Sequence, residues 1–115
     1  MSTRESFGAK IKSLRMAKGY TLQKLADLTN SSKSYIWELE NKAPPRPSAE
    51  KMSKIAYKLG VTTEYLLDDQ GNITIENATD ARFYRKYQQM GENTKAKIRS
   101  FIEIWAGGGG ALNEH

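Results

Sequence analysis

The chain has 115 residues, of which 27% are charged and 38% hydrophobic, the balance of a small globular protein. It has no cysteine, which excludes disulfides and thiolate metal sites and fits a cytoplasmic protein. No apolar run approaches the roughly 20 residues of a membrane span, and the N-terminus shows no apolar signal region. The formal net charge is +5, and the first 46 residues hold nine basic residues against four acidic ones. The whole positive excess therefore lies there, where we expect any surface that faces nucleic acid.

The first predicted helix covers Ser6–Lys18, and Gly19 ends it. Its apolar positions recur at helical spacing and are Phe7, Ile11 and Leu14. Lys10 and Lys12 lie off this stripe. Phosphate contacts and an ordinary solvated face are both open interpretations for these two lysines.

Two short amphipathic segments follow over Thr21–Asn41, joined by a tight turn, which is the layout of a helix-turn-helix. Leu25 and Ala26 close the apolar stripe of the first segment, and a small residue is needed at Ala26 because a second helix must cross closely over it. We expect Asn30, at the corner, to adopt the left-handed backbone region, which Asn tolerates better than most residues. Ser32 can then cap the next helix.

The second helix of this motif, residues 32–41, separates a core side from a free polar side. Ile36 and Leu39 follow at helical spacing and pack back against the first helix. The outward stripe consists of Lys33, Ser34, Trp37, Glu38 and Asn41. A capped helix with a free polar face is typical of an element that enters the major groove of DNA. Helical bundles contain similar pairs of helices, so both interpretations stay open on this pattern alone.

A proline-rich loop over Lys42–Pro47 holds Arg46 between two prolines, which stiffen the backbone. Ser48 caps another predicted helix, and Gly60 ends it. Thr63–Leu67 forms a last short helix that closes the core. We therefore expect a first domain over residues 1–69.

Residues 70–80 are predicted to be a linker, in which Asn72–Glu76 alternates in polarity and is a possible short strand. Residues 81–106 form a helical region with helices at Ala81–Met90 and Glu92–Trp105. The apolar face of the first contains Phe83, Tyr84, Tyr87 and Met90, and that of the second Ile98, Phe101, Ile102 and Trp105. Gly107–Gly110 is expected to end the helix and begin a flexible tail over residues 107–115.

Residues 7–68 resemble the lambda-type phage repressor and Cro domain, the group also called XRE-like regulators. The matching positions are Ile11, Leu14, Arg15, Gly19, Leu25, Ala26, Ser32, Ile36, Leu39, Glu40, Asn41, Arg46, Pro47, Ile55, Ala56, Leu59, Gly60, Val61, Tyr65, Leu66 and Leu67. The resemblance implies an all-α fold, with a five-helix DNA-binding domain followed by the possible short strand and two C-terminal helices. Leu22 stands where the family usually has a phosphate-contacting Gln, and Asn30 replaces the usual turn Gly.

The resemblance also implies roles for individual side chains. Bases are expected to be read by Lys33, Ser34, Trp37 and Glu38. The DNA backbone is expected to be contacted by Lys10, Lys12, Thr21, Tyr35, Asn41 and Arg46. Arg15 is expected to pair with Glu40. This pair, Ala26 and Asn30 are assigned structural roles in the motif. For Trp37, contact with a thymine methyl or a sugar and packing against Tyr35 or the Pro44–Pro45 loop all remain open.

These features predict a regulator of transcription, most simply a repressor that binds a near-palindromic double-stranded DNA operator as a homodimer. Dimerisation is assigned to Phe83, Tyr87, Ile98, Phe101, Ile102 and Trp105, with intramolecular packing as the alternative. Two other hypotheses are an antitoxin-like autoregulator whose C-terminal helices bind a toxin and a protein-interaction module that keeps the fold. No cofactor or membrane association is predicted. Metal binding and enzyme activity are not predicted either, because the chain lacks Cys, its one His is His115, and no phosphate-binding Gly loop precedes a helix.

Overall fold

A computed structural model describes residues 6–42 and 45–109, and every regular element in these ranges is an α-helix. The helices are α1 (Phe7–Ala17), α2 (Leu22–Leu28), α3 (Lys33–Asn41), α4 (Ala49–Leu59), α5 (Thr63–Leu67), α6 (Ile75–Gln88) and α7 (Glu92–Gly109). The all-α prediction is confirmed, including the five helices of the first domain. Pro44 of the predicted loop, residues 110–115 of the predicted tail and His115 lie outside the described residues. None of the described helices is long and apolar enough to cross a membrane.

Contacts within the chain group its residues into two compact units, which divide between Phe83 and Tyr84. In the first unit α1 and α2 both pack against α3, and α5 packs against α1 and α4. The core residues with 0% or 1% exposure include Ile11, Leu25, Ala26, Ile36, Leu39, Ile55, Ala56, Leu59, Val61 and Leu66. Helical spacing selected Ile11, Leu25, Ala26, Ile36 and Leu39 among them, and the apolar stripes of the five helices meet in one core.

Five helices of the first unit begin with the same capping interaction. A hydroxyl oxygen at the cap accepts the backbone N–H three residues later, and the capping residues are Ser6, Thr21, Ser32, Ser48 and Thr62. Each cap satisfies one otherwise unpaired donor and is typically worth about 1 kcal/mol. Ser32 and Ser48 cap their helices as the sequence predicts.

Helix α1 lies directly against the backbone of α3 at Gly8. A Cβ atom added there would sit 2.5 Å from the Leu39 carbonyl oxygen and 2.7 Å from the Glu40 carbonyl oxygen. Backbone oxygens cannot rotate away as a side chain can, so this contact requires glycine. The close approach holds the C-terminal half of α3 against α1.

Gly8→Ala should lower the free energy of unfolding by about 1–3 kcal/mol, because the added methyl overpacks the α1–α3 contact. Gly107→Ala is the matched control, since Gly107 is also helical and has nothing within 4 Å of an added Cβ. There the substitution should be neutral or stabilising by up to about 1 kcal/mol. Urea denaturation followed by circular dichroism measures both, and equal effects would contradict the close approach at Gly8.

The predicted strand over Asn72–Glu76 is wrong, because α6 begins at Ile75. The Thr74 hydroxyl accepts the Asn77 N–H at 3.1 Å, and the Thr74 carbonyl accepts the Ala78 N–H at 3.0 Å. A local cap therefore starts a helix where alternation suggested a strand. Ile73 and Ile75 both pack against the core, Ile73 from the preceding turn and Ile75 from the helix start.

The turn before α6 is organised by Asp68. Its carboxylate accepts the Ile73 N–H at 2.8 Å and the Gln70 N–H at 3.2 Å. The pKa of the Asp68 carboxyl is held below its ordinary value, chiefly by the hydrogen bond from Ile73. The ionised form thus stabilises the fold above the ordinary pKa of about 4, and this contribution is lost as pH falls through the lowered pKa.

The start of α6 belongs to the first unit, although residues 70–80 are predicted to be a linker. Ala78 is 1% exposed in the core, and the Arg82 guanidinium donates to the Val61 carbonyl at 2.9 Å. The predicted helix over Ala81–Met90 is therefore the second half of a longer helix, Ile75–Gln88. The domain limits 1–69 and 81–106 stay predictions.

The second unit contains the end of α6 and all of α7. The Arg99 guanidinium of α7 donates to the Tyr87 hydroxyl of α6 at 2.6 Å, which joins the two helices. It also donates to the Glu92 carboxylate at 2.9 Å, within α7. Helix α7 runs to Gly109, so the expectation that Gly107 starts the tail is wrong. Glycine disfavours a helix by about 1 kcal/mol but does not forbid it, and here the last turns continue through three glycines.

Candidate nucleic-acid interface

The turn between α2 and α3 has the geometry that the sequence predicts. Asn30 has φ +56°, a left-handed conformation that no other non-glycine residue adopts among the described positions. The Ser31 N–H donates to the Ala26 carbonyl at 2.8 Å, and Ala26 is fully buried. The two helices therefore cross closely at Ala26, and Asn30 reverses the chain between them.

Lys51 of α4 holds this turn from outside, a role that sequence reasoning missed. Its ammonium donates to the Thr29 carbonyl at 2.7 Å, the Asn30 carbonyl at 2.9 Å and the Ser31 hydroxyl at 2.9 Å. These carbonyls end α2 and have no partner within that helix, so a cation is well suited to satisfy them. Lys51 is about one turn into α4, and nothing in its local pattern distinguishes it from a solvated lysine.

Helix α3 presents the predicted reading residues together on one exposed face. Ile36 and Leu39 are 0% and 1% exposed on the opposite side. Lys33, Ser34, Trp37 and Glu38 are all exposed and, with Leu22 of α2, line a shallow cleft of ≈ 250 Å³. The buried side fixes the orientation of the helix, so these four side chains point away from the core.

Trp37 is 44% exposed. The Lys42 ammonium lies 5.8 Å from the centre of its ring. Tyr35 packs against the core, while Trp37 faces the cleft beside Leu22. Among the predicted neighbours of Trp37, Pro44 lies outside the described residues.

Two of the candidate contacts to the DNA backbone are exposed cations. Lys12 and Arg46 are exposed, and the Arg46 guanidinium lies 4.5 Å from the centre of the Phe7 ring. A cation stacked on a ring is partly pre-oriented, which reduces the entropy lost when it binds phosphate. Arg46 is therefore not held by prolines alone, since Phe7 at the start of α1 supports it.

Three of the candidate contacts are uncharged. The Thr21 hydroxyl caps α2, and the Asn41 side-chain amide donates to the Trp37 carbonyl at 2.9 Å. Partial burial raises the pKa of the Tyr35 hydroxyl, so this group stays protonated and can donate a hydrogen bond at neutral pH.

The expectation that Lys10 contacts the DNA backbone is contradicted. Lys10 is 4% exposed, and its ammonium donates to the Tyr65 carbonyl at 2.7 Å and the Asp68 carbonyl at 2.6 Å. It also lies 4.4 Å from the centre of the Tyr65 ring. A buried ammonium with these partners serves the α1–α5 packing, where it satisfies carbonyls at the end of α5.

The predicted Arg15–Glu40 pair is present. The Arg15 Nε donates to Glu40 Oε2 at 2.6 Å, and Nη2 donates to Oε1 at 3.1 Å, a bidentate arrangement. The third guanidinium contact goes to the Tyr20 carbonyl at 2.9 Å. Only 11% of the Arg15 side chain and 1% of the Glu40 side chain are exposed. The pair ties α1 to α3 and to the segment that leads into α2.

Comparison with known proteins points to the same part of the chain. The Helix-turn-helix family model matches residues 11–66. The HTH-type transcriptional regulator SinR of Bacillus subtilis (strain 168) is 26% identical over 98 residues, which are 84% of this chain and 88% of SinR.

Two solved structures of SinR are also similar to the chain. One shows SinR, the master regulator for biofilm formation, in complex with DNA; it is 35% identical, covers 54% of this chain and 98% of its own, and has a TM-score of 0.51. The other is the complex of the SinR and SinI proteins. It is 28% identical, covers 85% of this chain and 92% of its own, and has a TM-score of 0.53. The similarity to the SinR–SinI complex covers more residues than the first unit contains, so it extends into the second unit.

Proposed function

The chain belongs to the lambda-repressor-like (XRE) helix-turn-helix family of DNA-binding transcriptional regulators, and we propose that it binds a near-palindromic operator as a homodimer and represses transcription from it. The observation that carries the proposal is α3, which is buried on its Ile36 and Leu39 side and exposes Lys33, Ser34, Trp37 and Glu38 on the other. The solved complex of the relative SinR with DNA supports a DNA-binding role for the same fold. We propose no catalytic activity, and a place of action in the cytoplasm.

Three polar groups on α3 have the chemistry to read base edges in the major groove. The Lys33 ammonium can donate to guanine O6 and N7, and the Ser34 hydroxyl can donate or accept. The Glu38 carboxylate can accept from the cytosine amino group and repels phosphate, so it penalises docking in a wrong register. Such contacts each discriminate by about 1–3 kcal/mol.

Phosphate contacts are assigned to the groups around α3. Arg46 and Lys12 neutralise phosphates and release counterions, which supplies affinity without sequence preference. Thr21, Tyr35 and Asn41 can add uncharged hydrogen bonds that set the register of the helix on the duplex. Lys10 has no part in this set because its ammonium is buried.

The second unit is assigned to dimerisation. Phe101, Ile102 and Trp105 of α7 are 68%, 49% and 57% exposed. Phe83, which the sequence also assigns to dimerisation, is the last residue of the first unit and is 54% exposed. Ile98 and Tyr87 are half-buried at the same helices. A contiguous apolar face of this kind is typical of an interaction surface. A two-fold dimer would place two α3 helices about 34 Å apart, one turn of DNA.

Lys33→Ala and Arg46→Ala should separate base reading from phosphate binding. Lys33→Ala should relax the base preference at one position of each half-site. Arg46→Ala should weaken binding to all duplexes alike, and the salt dependence of the affinity should fall by about one phosphate contact. Fluorescence anisotropy with a panel of single-base operator variants at several salt concentrations measures both. Uniform weakening by Lys33→Ala would remove it from the reading set, and an unchanged slope would remove Arg46 from the phosphate set.

A further inference from the structure

An apolar cleft lies in the middle of the exposed face of α3. It is lined by Leu22, the first residue of α2, by Trp37 at the centre of α3, and by Lys33, Ser34 and Glu38. The lining is almost wholly carbon, although the surrounding surface is polar. Hydrogen bonding by α3 gives no reason for such a cleft, so it needs a separate explanation.

Docking of α3 in a major groove would bring base edges onto this cleft. Those edges are made of hydrogen-bonding groups with one apolar exception, the C5-methyl group of thymine. A polar base edge pressed against Leu22 and Trp37 would lose its hydration without gaining a partner, which is unfavourable. A methyl group there is removed from water along with the exposed part of Trp37, which is favourable.

We propose that the Leu22–Trp37 cleft takes the C5-methyl group of a thymine and specifies thymine at one position of each half-site. The proposal rests on the assignment of α3 as the DNA-reading helix. The cleft volume of ≈ 250 Å³ leaves room for one methyl group. Cytosine and uracil lack the methyl, and therefore would leave the cleft unfilled.

Thymine-to-deoxyuridine replacement tests this without changing any hydrogen bond. The operator is first selected from a random duplex pool, and each thymine of it is then replaced singly by deoxyuridine. At one position per half-site the affinity should fall roughly fourfold, and replacement in both half-sites should lower it about 16-fold, the effect of one and two buried methyl groups. Trp37→Ala should bind the thymine and deoxyuridine operators equally.

Met16→Ala is the control variant, because Met16 is an exposed apolar residue of the first unit outside the cleft. It should keep the full sensitivity to deoxyuridine. Circular dichroism checks that Trp37→Ala is folded, and the half-exposed position makes this the expected result. Leu22→Ala supplies a second variant, which should also reduce the sensitivity, because Leu22 is the other apolar residue that lines the cleft.

The outcomes separate the cleft from the wider DNA-binding role. A selected operator that has no thymine in its half-sites, or that is insensitive to every deoxyuridine, overturns the methyl site and leaves DNA reading by α3 intact. If Trp37→Ala keeps the full sensitivity to deoxyuridine, the methyl site is overturned as well. A pool that yields no enriched sequence contradicts both the methyl site and the proposed function.

Discussion

Arg15→Leu should lower the free energy of unfolding by about 3–5 kcal/mol, because it leaves the Glu40 carboxylate buried without its cation. The Glu40 side chain is 1% exposed, and its two oxygens both receive hydrogen bonds from Arg15. The loss should also move the C-terminal end of α3, since this pair and the Gly8 contact hold it against α1. Urea denaturation followed by circular dichroism measures the effect.

Arg99→Leu is the matched control, since it breaks an Arg–Glu pair of similar length, 2.9 Å, on the surface of the second unit. There the side chains of Arg99 and Glu92 are 53% and 78% exposed, so water replaces the lost partner and stability should barely change. The double variant Arg15→Leu/Glu40→Leu should recover part of the loss, because no charge is then left buried. Equal effects of Arg15→Leu and Arg99→Leu would show that burial of the Arg15–Glu40 pair does not matter.

Phe101→Gln/Trp105→Gln should weaken operator binding by roughly 10²- to 10⁴-fold. The proposed reason is that the two half-sites are then bound by separate monomers, and the gain from linking two binding units is of this size. Both side chains are largely exposed, so the fold of the chain should not change. Sedimentation measures the oligomeric state, and anisotropy measures affinity for one and for two half-sites.

Leu67→Gln provides the control, because Leu67 is 47% exposed in the first unit. This variant should keep both the dimer and the operator affinity. The α7 variant should bind an isolated half-site as the unaltered chain does. If the α7 variant stays dimeric and keeps its affinity for the full operator, α7 is not the dimer contact.

Local rules were sufficient for the helix-turn-helix motif. The left-handed Asn30, the caps at Ser32 and Ser48 and the small Ala26 depend on neighbours within a few residues, and the structure has them as predicted. The amphipathic spacing of α3 likewise separates core from surface without knowledge of the partner helices. The predicted base-reading residues lie together for this reason.

Lysine roles could not be predicted from local sequence. Lys10 and Lys12 have the same place beside the apolar stripe of α1, but only Lys10 meets carbonyls at Tyr65 and Asp68, more than 50 residues away. Lys51 likewise reaches the turn at Thr29 from another helix. Which lysine is buried depends on tertiary packing, which a charge count and helical spacing do not contain.

The region after α5 shows a second limit. Alternation of Ile73 and Ile75 is compatible with a strand, but the Thr74 cap and the Asp68 turn decide for a helix. Because Ala78 and Arg82 then pack in the first unit, a fragment meant to isolate this unit should end after Phe83 and not after residue 69. At the other end, a run of glycines weakens a helix without ending it at Gly107.

Selection of bound sequences from a random duplex pool tests most directly the claim that α3 reads DNA. The full chain should enrich one short half-site, repeated with dyad symmetry and centred about one helical turn, roughly 34 Å, from its copy. Lys33→Ala, selected in parallel, should lose preference at one position of each half-site. An enriched motif that Lys33→Ala leaves unchanged at every position, or a pool without enrichment, would contradict the account.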